Sequence, residues 1–291
     1  MLASRLVLHL GSSRAVVSRL LHHELCMRYV SIDDVTIDEA LVTPFIGRGL
    51  PSGRSRMTVL LAGRGEIRFS GRSIPLVPGT VVTVSDLDHT TCRLEPLSRV
   101  LELDWDPGLL GDACRGVEEG SVTNVNSLAV ASQAVSRVGE QPSTVAAELL
   151  ARLRAEGLMV RAPPPAELHD ERALKFATLN VAIDTVFSLL SSQPMTIDLT
   201  DQLGFCRRTL TRQIAMYNEH FKQEGLGGVD WRSTLHFWRL LAGTVLITGR
   251  NAQVSEVARA LGYAGADALC HAFEGVGLPS PAILRTQTLV G

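Results

Sequence analysis

Apolar and polar positions recur at helical spacing in two similar units near the carboxyl end of the chain. The first unit, Thr196–Tyr217, predicts a short amphipathic helix around Leu199–Leu203, a turn at Gly204 and a second helix. Glycine suits this turn because it tolerates a positive φ. The second helix carries Leu210, Ile214 and Tyr217 on one face and Arg207, Arg208, Thr211 and Arg212 on the other.

The second unit, Gln253–Phe273, repeats this order of helix, glycine turn and helix. Its apolar positions are Val254, Val257, Ala258, Leu261, Leu269 and Phe273, with the turn at Gly262. The outward positions are Ala266, Asp267, Cys270 and His271. Such units present a helix to the major groove of DNA. Between them, Trp231–Thr248 predicts a helix of roughly 25 Å, which can hold two helices in successive major grooves about 34 Å apart.

Short β patterns separated by glycine, proline and aspartate occupy residues 29–106. The predicted strands are Thr58–Ala62, Glu66–Phe69, Val81–Ser85, Thr91–Leu94 and Val100–Leu103. Turns are expected around Gly63, Gly71 and Gly79. Many short strands with closely spaced turns favour a small antiparallel barrel or sandwich.

A helical pattern follows the strands. Val125–Val138 and Ser143–Glu156 carry apolar stripes, and Ser143 is expected to cap the second helix. The stripes need a covering surface, either the barrel or the same helices of a second subunit. Residues 163–168, with three consecutive prolines, predict a semi-rigid linker. A long helix over Asp170–Ser191 would then open the last domain.

The first 26 residues contain Arg5, Arg14 and Arg19 but only one acid, Glu24. Because arginine, histidine and serine interrupt the apolar positions, no secretory signal is expected. We expect residues 1–26 to be a leader or a loose tail. His22 and Cys26 have i,i+4 spacing, but without further ligands they predict no metal site.

Composition and charge restrict the function without naming it. The 291 residues suffice for two domains, and the net charge is −2. From Ala166 to the end, the sequence contains 11 Lys and Arg and 12 Asp and Glu, so this half has almost no net charge. Contact with DNA must therefore come from local clusters of basic residues. Five dispersed cysteines without CxxC spacing favour free thiols in a reducing cytoplasm. No apolar run reaches the roughly 18 residues of a membrane span.

Motifs for catalysis are absent from the sequence. The HxH motif of metal-binding barrels is missing, and His89 stands alone. There is no GxSxG, GxxxxGK or strand-linked GxGxxG pattern. We therefore expect no enzyme activity, no cofactor and no metal.

Residues 196–285 resemble the paired helix-turn-helix domain of AraC/XylS-type transcription regulators. The matching positions are Val254, Val257, Ala258, Leu261, Gly262, Tyr263, Phe273, Ser280, Pro281 and Arg285. Residues 65–85 resemble a cupin-type barrel. The resemblance implies a multidomain chain: a small antiparallel β-barrel, cupin-like, at 27–107, a helical dimerisation or packing segment at 108–162, and an all-α double helix-turn-helix domain at 169–291.

The resemblance also implies roles and partners. Arg208 and Arg212, with Thr211 beside them, would reach base edges, and Arg207 would contact phosphate. The partners would be double-stranded DNA, a small-molecule effector, a second copy of the chain and RNA polymerase. The second unit departs from the family pattern, because His271 replaces an arginine and Glu274 and Gly275 replace basic residues. Asp267 would repel phosphate unless it accepts from a cytosine amino group.

Two alternatives stay open. The second unit could have lost DNA binding, so that the protein acts through protein–protein interaction. Less favoured is a cupin-type small-molecule enzyme in the barrel. Steep salt dependence would indicate phosphate contacts, whereas stoichiometric bound metal would favour the enzyme.

Overall fold

An antiparallel, sheet-rich first part and a helical second part make up the chain. The computed structural model describes residues 1–41, 54–69, 71–85, 90–111, 117–137, 141–158, 161–188, 196–221 and 230–289. The strands are β1 (Leu2–Leu10), β2 (Ser13–Leu21), β3 (Leu25–Ile32), β4 (Ile37–Asp38), β5 (Ser55–Ala62), β6 (Gly65–Phe69), β7 (Arg72–Leu76), β8 (Thr80–Ser85), β9 (Thr90–Leu94), β10 (Arg99–Trp105) and β11 (Val117–Ser121). All five predicted strands are confirmed. Each begins one to three residues earlier than predicted, and β10 also ends two residues later.

Two sheets share a core. The larger has the order β1-β2-β3-β10-β5-β8-β11 and the smaller the order β4-β9-β6-β7. Alternate residues of the larger sheet point to opposite faces. Val30, Val100 and Val82 pack against Ile67 and Leu94 of the smaller sheet. The other face packs against helices.

The expectation that residues 1–26 are a leader or loose tail is wrong. β1 and β2 form an antiparallel hairpin, with Leu2 opposite Leu21 and Leu10 opposite Ser13. Met1 is only 3% exposed. At the start of β1 the burial has a period of two, because Leu2, Ser4 and Leu6 are buried while Ala3 and Arg5 are exposed. In β2 the polar Ser18 and Arg19 are themselves buried. His22 and Cys26 are therefore not on a helix, since they flank the turn between β2 and β3.

Helices cover the outer face of the larger sheet. These are α1 (Pro107–Leu110), α2 (Val125–Ser132), a 3-10 turn (Gln133–Ser136) and α3 (Pro142–Ala155). Their buried residues, including Leu128, Leu149 and Leu153, pack with Met27 and Leu103 of the sheet. The sheet of the same chain thus covers the predicted apolar stripes. Ser143 is not the cap, because Gln141 holds that position and Pro142 begins the helix.

The second part contains only helices among its described residues. They are α4 (Glu171–Leu174), α5 (Ala177–Ser188), α6 (Thr196–Leu203), α7 (Arg207–His220), α8 (Trp231–Leu246), α9 (Val254–Ala260), α10 (Ala266–Glu274) and α11 (Pro281–Leu289). The single helix expected over Asp170–Ser191 is wrong. Backbone bonds from Lys175 and Phe176 to residues three positions earlier tighten the chain into a turn between α4 and α5.

The β1–β2 hairpin joins both parts of the molecule. Leu2, Leu6 and Leu21 pack in one core with Phe176 and Trp231 of the helical part. At the predicted linker, Leu168 is fully buried and accepts a hydrogen bond from the amino terminus at 3.4 Å. In the described ranges, no helix is long and apolar enough to cross a membrane.

Candidate nucleic-acid interface

The first helix pair consists of α6, the turn at Gly204 and α7. Gly204 has a φ of +66°, as predicted for this turn. Leu210, Ile214 and Tyr217 of α7 are buried, with at most 1% exposure. The Tyr217 hydroxyl donates to the Asn180 Oδ1 atom at 2.9 Å. This contact fixes the inner face of α7 against α5.

The outer face of α7 is basic and accessible. Arg207, Arg208 and Arg212 are exposed, and Thr211 is half-buried. Among the described residues, none of these three guanidinium groups lies within salt-bridge distance of a carboxylate. Because arginine is always charged and presents a planar set of donors, this face suits phosphate oxygens and guanine edges.

The second helix pair consists of α9, the turn at Gly262 and α10. Gly262 has a φ of +80°, and Val257, Leu269 and Phe273 are fully buried. The outer face is weakly charged. Asp267 and His271 are exposed, whereas Ala266 and Cys270 are half-buried.

Electrostatics on α10 differ from those on α7. His271 Nδ1 lies 3.4 Å from a Glu274 carboxylate oxygen, and both side chains are largely exposed. Such a surface pair contributes little to stability. Burial, with the charges of Asp267 and Glu274, raises the pKa of the Cys270 thiol. This face therefore offers little attraction to phosphate.

The connecting helix α8 packs against both helix pairs. Its 16 residues span about 24 Å. At its start Ser233 N donates to Asp230 Oδ1 at 2.8 Å, and Asp230 N donates to Ser233 Oγ at 3.2 Å. This capping box fixes the first turn. Near its end a Cβ on Gly243 would lie 3.1 Å from Phe273 and 3.2 Å from Leu261. Glycine thus allows α8 to approach the second pair closely.

Arg239 and Tyr263 form a feature that the sequence pattern did not reveal. Both are half-buried, and in the described part Arg239 Nε and the Tyr263 hydroxyl have no hydrogen-bond partner. Burial lowers the pKa of Arg239. Burial also raises the pKa of Tyr263, and the charge of Arg239 opposes that rise. Only the packing of α8 beside the second pair brings these residues together.

The described cysteines form no disulfide bond with one another. They are Cys26, Cys92, Cys206 and Cys270, whereas Cys114 lies outside the described residues. Cys206 is exposed at the start of α7, with Sγ 3.2 Å from Thr209 Oγ1. This contact lowers the pKa of the Cys206 thiol. His89 also lies outside the described residues.

A charged network is buried between the two sheets. Asp104 Oδ2 accepts from Arg28 at 2.7 Å, and Asp104 Oδ1 accepts from Arg56 at 2.7 Å. Arg28 also donates to Glu102 at 2.9 Å. A Glu39 carboxylate oxygen lies 3.6 Å from Arg56 and another accepts from the Cys92 backbone at 2.9 Å. The two arginines of the network are therefore each paired with carboxylates of the same network.

Comparisons with known proteins give weak similarity. No family model and no curated protein matches the chain. Among solved structures, ToxT from Vibrio cholerae is 9% identical over 90% of this chain and 98% of its own, with a TM-score of 0.35. The AraC-like transcriptional activator CuxR is 12% identical over 76% of this chain and 86% of its own, with a TM-score of 0.35.

A third solved structure matches about a third of the chain. The Cupin_2 domain of an XRE family transcriptional regulator from Enterobacter cloacae is 14% identical over 32% of this chain and 97% of its own, with a TM-score of 0.26. An AraC-like activator and a cupin domain are thus among the solved structures to which this chain is similar.

Proposed function

We propose that the chain is a sequence-specific regulator of transcription that binds double-stranded DNA through two helix-turn-helix units. The carrying observation is the outer face of α7, where three arginines are exposed while the opposite face is fully buried. A rigid helix with an accessible basic face is the arrangement that enters a major groove. The two helix pairs would be the two reading units, with α7 and α10 as their recognition helices.

In the first unit, Arg208, Thr211 and Arg212 would read base edges and Arg207 would contact phosphate. Arg208 and Arg212 are four positions apart and so share one stripe of α7. Arg207 stands at the amino end of the helix, where phosphate contacts are common. Arg208 and Arg212 have no ion-pair partner in the described ranges that would have to be broken first, whereas Arg207 interacts electrostatically with Asp230.

In the second unit, Ala266, Asp267, Cys270 and His271 would face the DNA. This unit would contact the DNA mainly through the shape of its helix. It would make few charged contacts, because Asp267 and Glu274 offset the charge that His271 can carry. Its position is nevertheless fixed by Phe273 and Leu261 against Gly243 of α8. The unit therefore holds a second helix near the duplex without strong phosphate attraction.

Regulation by a small-molecule effector and assembly as a homodimer belong to the same proposal. The sheet-rich part would bind the effector, and the shared core between β1, α5 and α8 would transmit the change. Binding at one site would then shift affinity at the other through differential contacts. As an activator of transcription, the protein would also contact RNA polymerase. Light scattering of the purified chain tests the dimer.

A selection of genomic fragments by the purified protein tests the function. We expect a shared sequence among the retained fragments and a steep loss of affinity between low and high salt, since phosphate contacts release counterions. Retention of fragments without a shared sequence would contradict sequence-specific regulation. Absence of DNA binding at low salt would favour the protein–protein alternative.

A further inference from the structure

Two imidazoles and a carboxylate meet where three distant segments of the chain come together. His23 lies in the turn between β2 and β3, Asp170 precedes α4, and His220 is the last residue of α7. The Asp170 Oδ2 atom is 3.3 Å from His23 Nδ1 and 2.9 Å from His220 Nε2. The function proposed above uses none of these side chains.

Their spacing fits the first coordination shell of a metal ion. The three ligand atoms all lie within 4.8 Å of one another. Bonds of about 2.0–2.2 Å in tetrahedral geometry place ligand atoms about 3.3–3.6 Å apart. The separations of 2.9 Å and 3.3 Å from the Asp170 Oδ2 atom are close to that spacing.

Neighbouring groups hold the ligands in place. The second nitrogen of His23, Nε2, lies 3.6 Å from a Glu24 carboxylate oxygen. The second oxygen of Asp170, Oδ1, accepts from the Ala173 backbone at 3.0 Å. The His220 ring packs edge-on against Phe221, with centroids 4.7 Å apart. The hydrogen bond from Ala173 is the kind of outer contact that orients a metal ligand and increases affinity.

Access is available from one side. The Asp170 side chain is 4% exposed and that of His220 is 13% exposed, whereas that of His23 is 46% exposed. An ion can therefore enter past His23 and reach a carboxylate that is otherwise shielded from water.

We propose that His23, Asp170 and His220 bind one divalent transition-metal ion of the zinc type, with water at the fourth position. Two imidazole nitrogens and one carboxylate oxygen suit zinc and its neighbours, whereas calcium and magnesium take oxygen ligands. The sequence did not predict this site, because the ligands are up to 197 positions apart in the chain. Of the i,i+4 pair His22 and Cys26, the His22 ring packs against the ring of His23, with centroids 4.2 Å apart, and neither residue is one of the three ligands.

The ion would tie the end of α7 to the sheet-rich part and to the start of the helical part. The availability of the metal would thereby influence the position of α7, the first recognition helix. This consequence rests on the proposed DNA-binding function, whereas metal binding itself does not.

Metal binding is tested on the full chain after chelation and dialysis against zinc chloride. We expect one zinc per chain by elemental mass spectrometry, and the visible absorption of tetrahedral cobalt(II) when cobalt replaces zinc. His220→Gln keeps an N–H donor for Asp170 but removes the imidazole, so its zinc affinity should fall at least about tenfold. His23→Ala should do the same, while His9→Ala, an exposed histidine on β1, should bind as the parent chain does.

Circular dichroism verifies that each variant is folded. Substoichiometric zinc on the parent chain, or full zinc retention by the folded His220→Gln variant, would overturn the site and leave a hydrogen-bonded His–Asp–His cluster. Stoichiometric zinc on a chain that binds no DNA would support the site and contradict only the regulatory function.

Discussion

Asp104 shows how a buried charge can stabilise this fold. Burial alone would raise the pKa of its carboxyl, but Arg28 and Arg56 outweigh burial and lower that pKa to about 2. A carboxyl whose folded pKa is depressed stabilises the fold above its unfolded pKa. The contribution is lost as the pH falls from about 4 through 2.

Asp104→Asn should destabilise the protein at neutral pH by about 3–5 kcal/mol, because two buried guanidinium groups lose their shared counter-charge. Urea unfolding at pH 7 measures the change. Asp33→Asn, at an exposed pair with Arg14, is the control and should cost less than about 1 kcal/mol.

The same variant tests the pH dependence. Stability of the parent chain should fall between pH 4 and pH 2, and Asp104→Asn should show a shallower fall. An equal fall in both proteins would show that Asp104 is not the titrating group.

At the scale of single elements, the sequence predicted the helix pairs better than the first strands. In each helix pair, apolar residues recur every three or four positions, and a glycine, Gly204 or Gly262, marks the turn. Both signals can be read from a short stretch of sequence. The hairpin of β1 and β2 was missed because its arginines resemble those of a polar tail, whereas Arg19 is buried and donates a hydrogen bond to Ser4 at 2.8 Å. The break between α4 and α5 was missed because no glycine or proline marks it.

The close contact at Gly243 explains how α8 fixes the second unit. Gly243→Val should destabilise the protein by about 1–3 kcal/mol, since the added methyl groups must displace Phe273 and Leu261. Thermal and urea unfolding measure the cost. Gly108→Ala, where no atom lies within 4 Å of the added Cβ, is the control and should be neutral or slightly stabilising. A neutral Gly243→Val would mean that the two helices are not in close contact.

At the scale of the whole molecule, the two parts share one core. Asn180 Nδ2 donates to the Ala3 carbonyl at 3.0 Å, and Ser4 Oγ donates to Asp184 at 2.8 Å. The Thr248 hydroxyl donates to the Thr36 carbonyl at 3.0 Å. These contacts join residues about 180 to 210 positions apart, which local sequence patterns do not encode. The charged network between the sheets was missed for the same reason.

Asn180→Ala should weaken this junction. It removes the hydrogen bonds that the Ala3 carbonyl and the Tyr217 hydroxyl make to the Asn180 side chain, which should cost about 1–3 kcal/mol in all. Calorimetry measures the loss and whether both parts still unfold together. Thr185→Ala, on the exposed side of the same helix, should change stability by less than about 0.5 kcal/mol. Unchanged unfolding of Asn180→Ala would contradict the coupling of the two parts.

The affinity of α7 variants for selected and scrambled duplexes tests the central claim most directly. Arg208→Ala should lose about 1–3 kcal/mol of binding to the selected sequence and little on the scrambled one, because a base contact is removed. Arg207→Ala should weaken binding to both duplexes similarly and reduce the salt dependence. If both variants lose equally on both duplexes, or neither loses on either, α7 does not read DNA sequence.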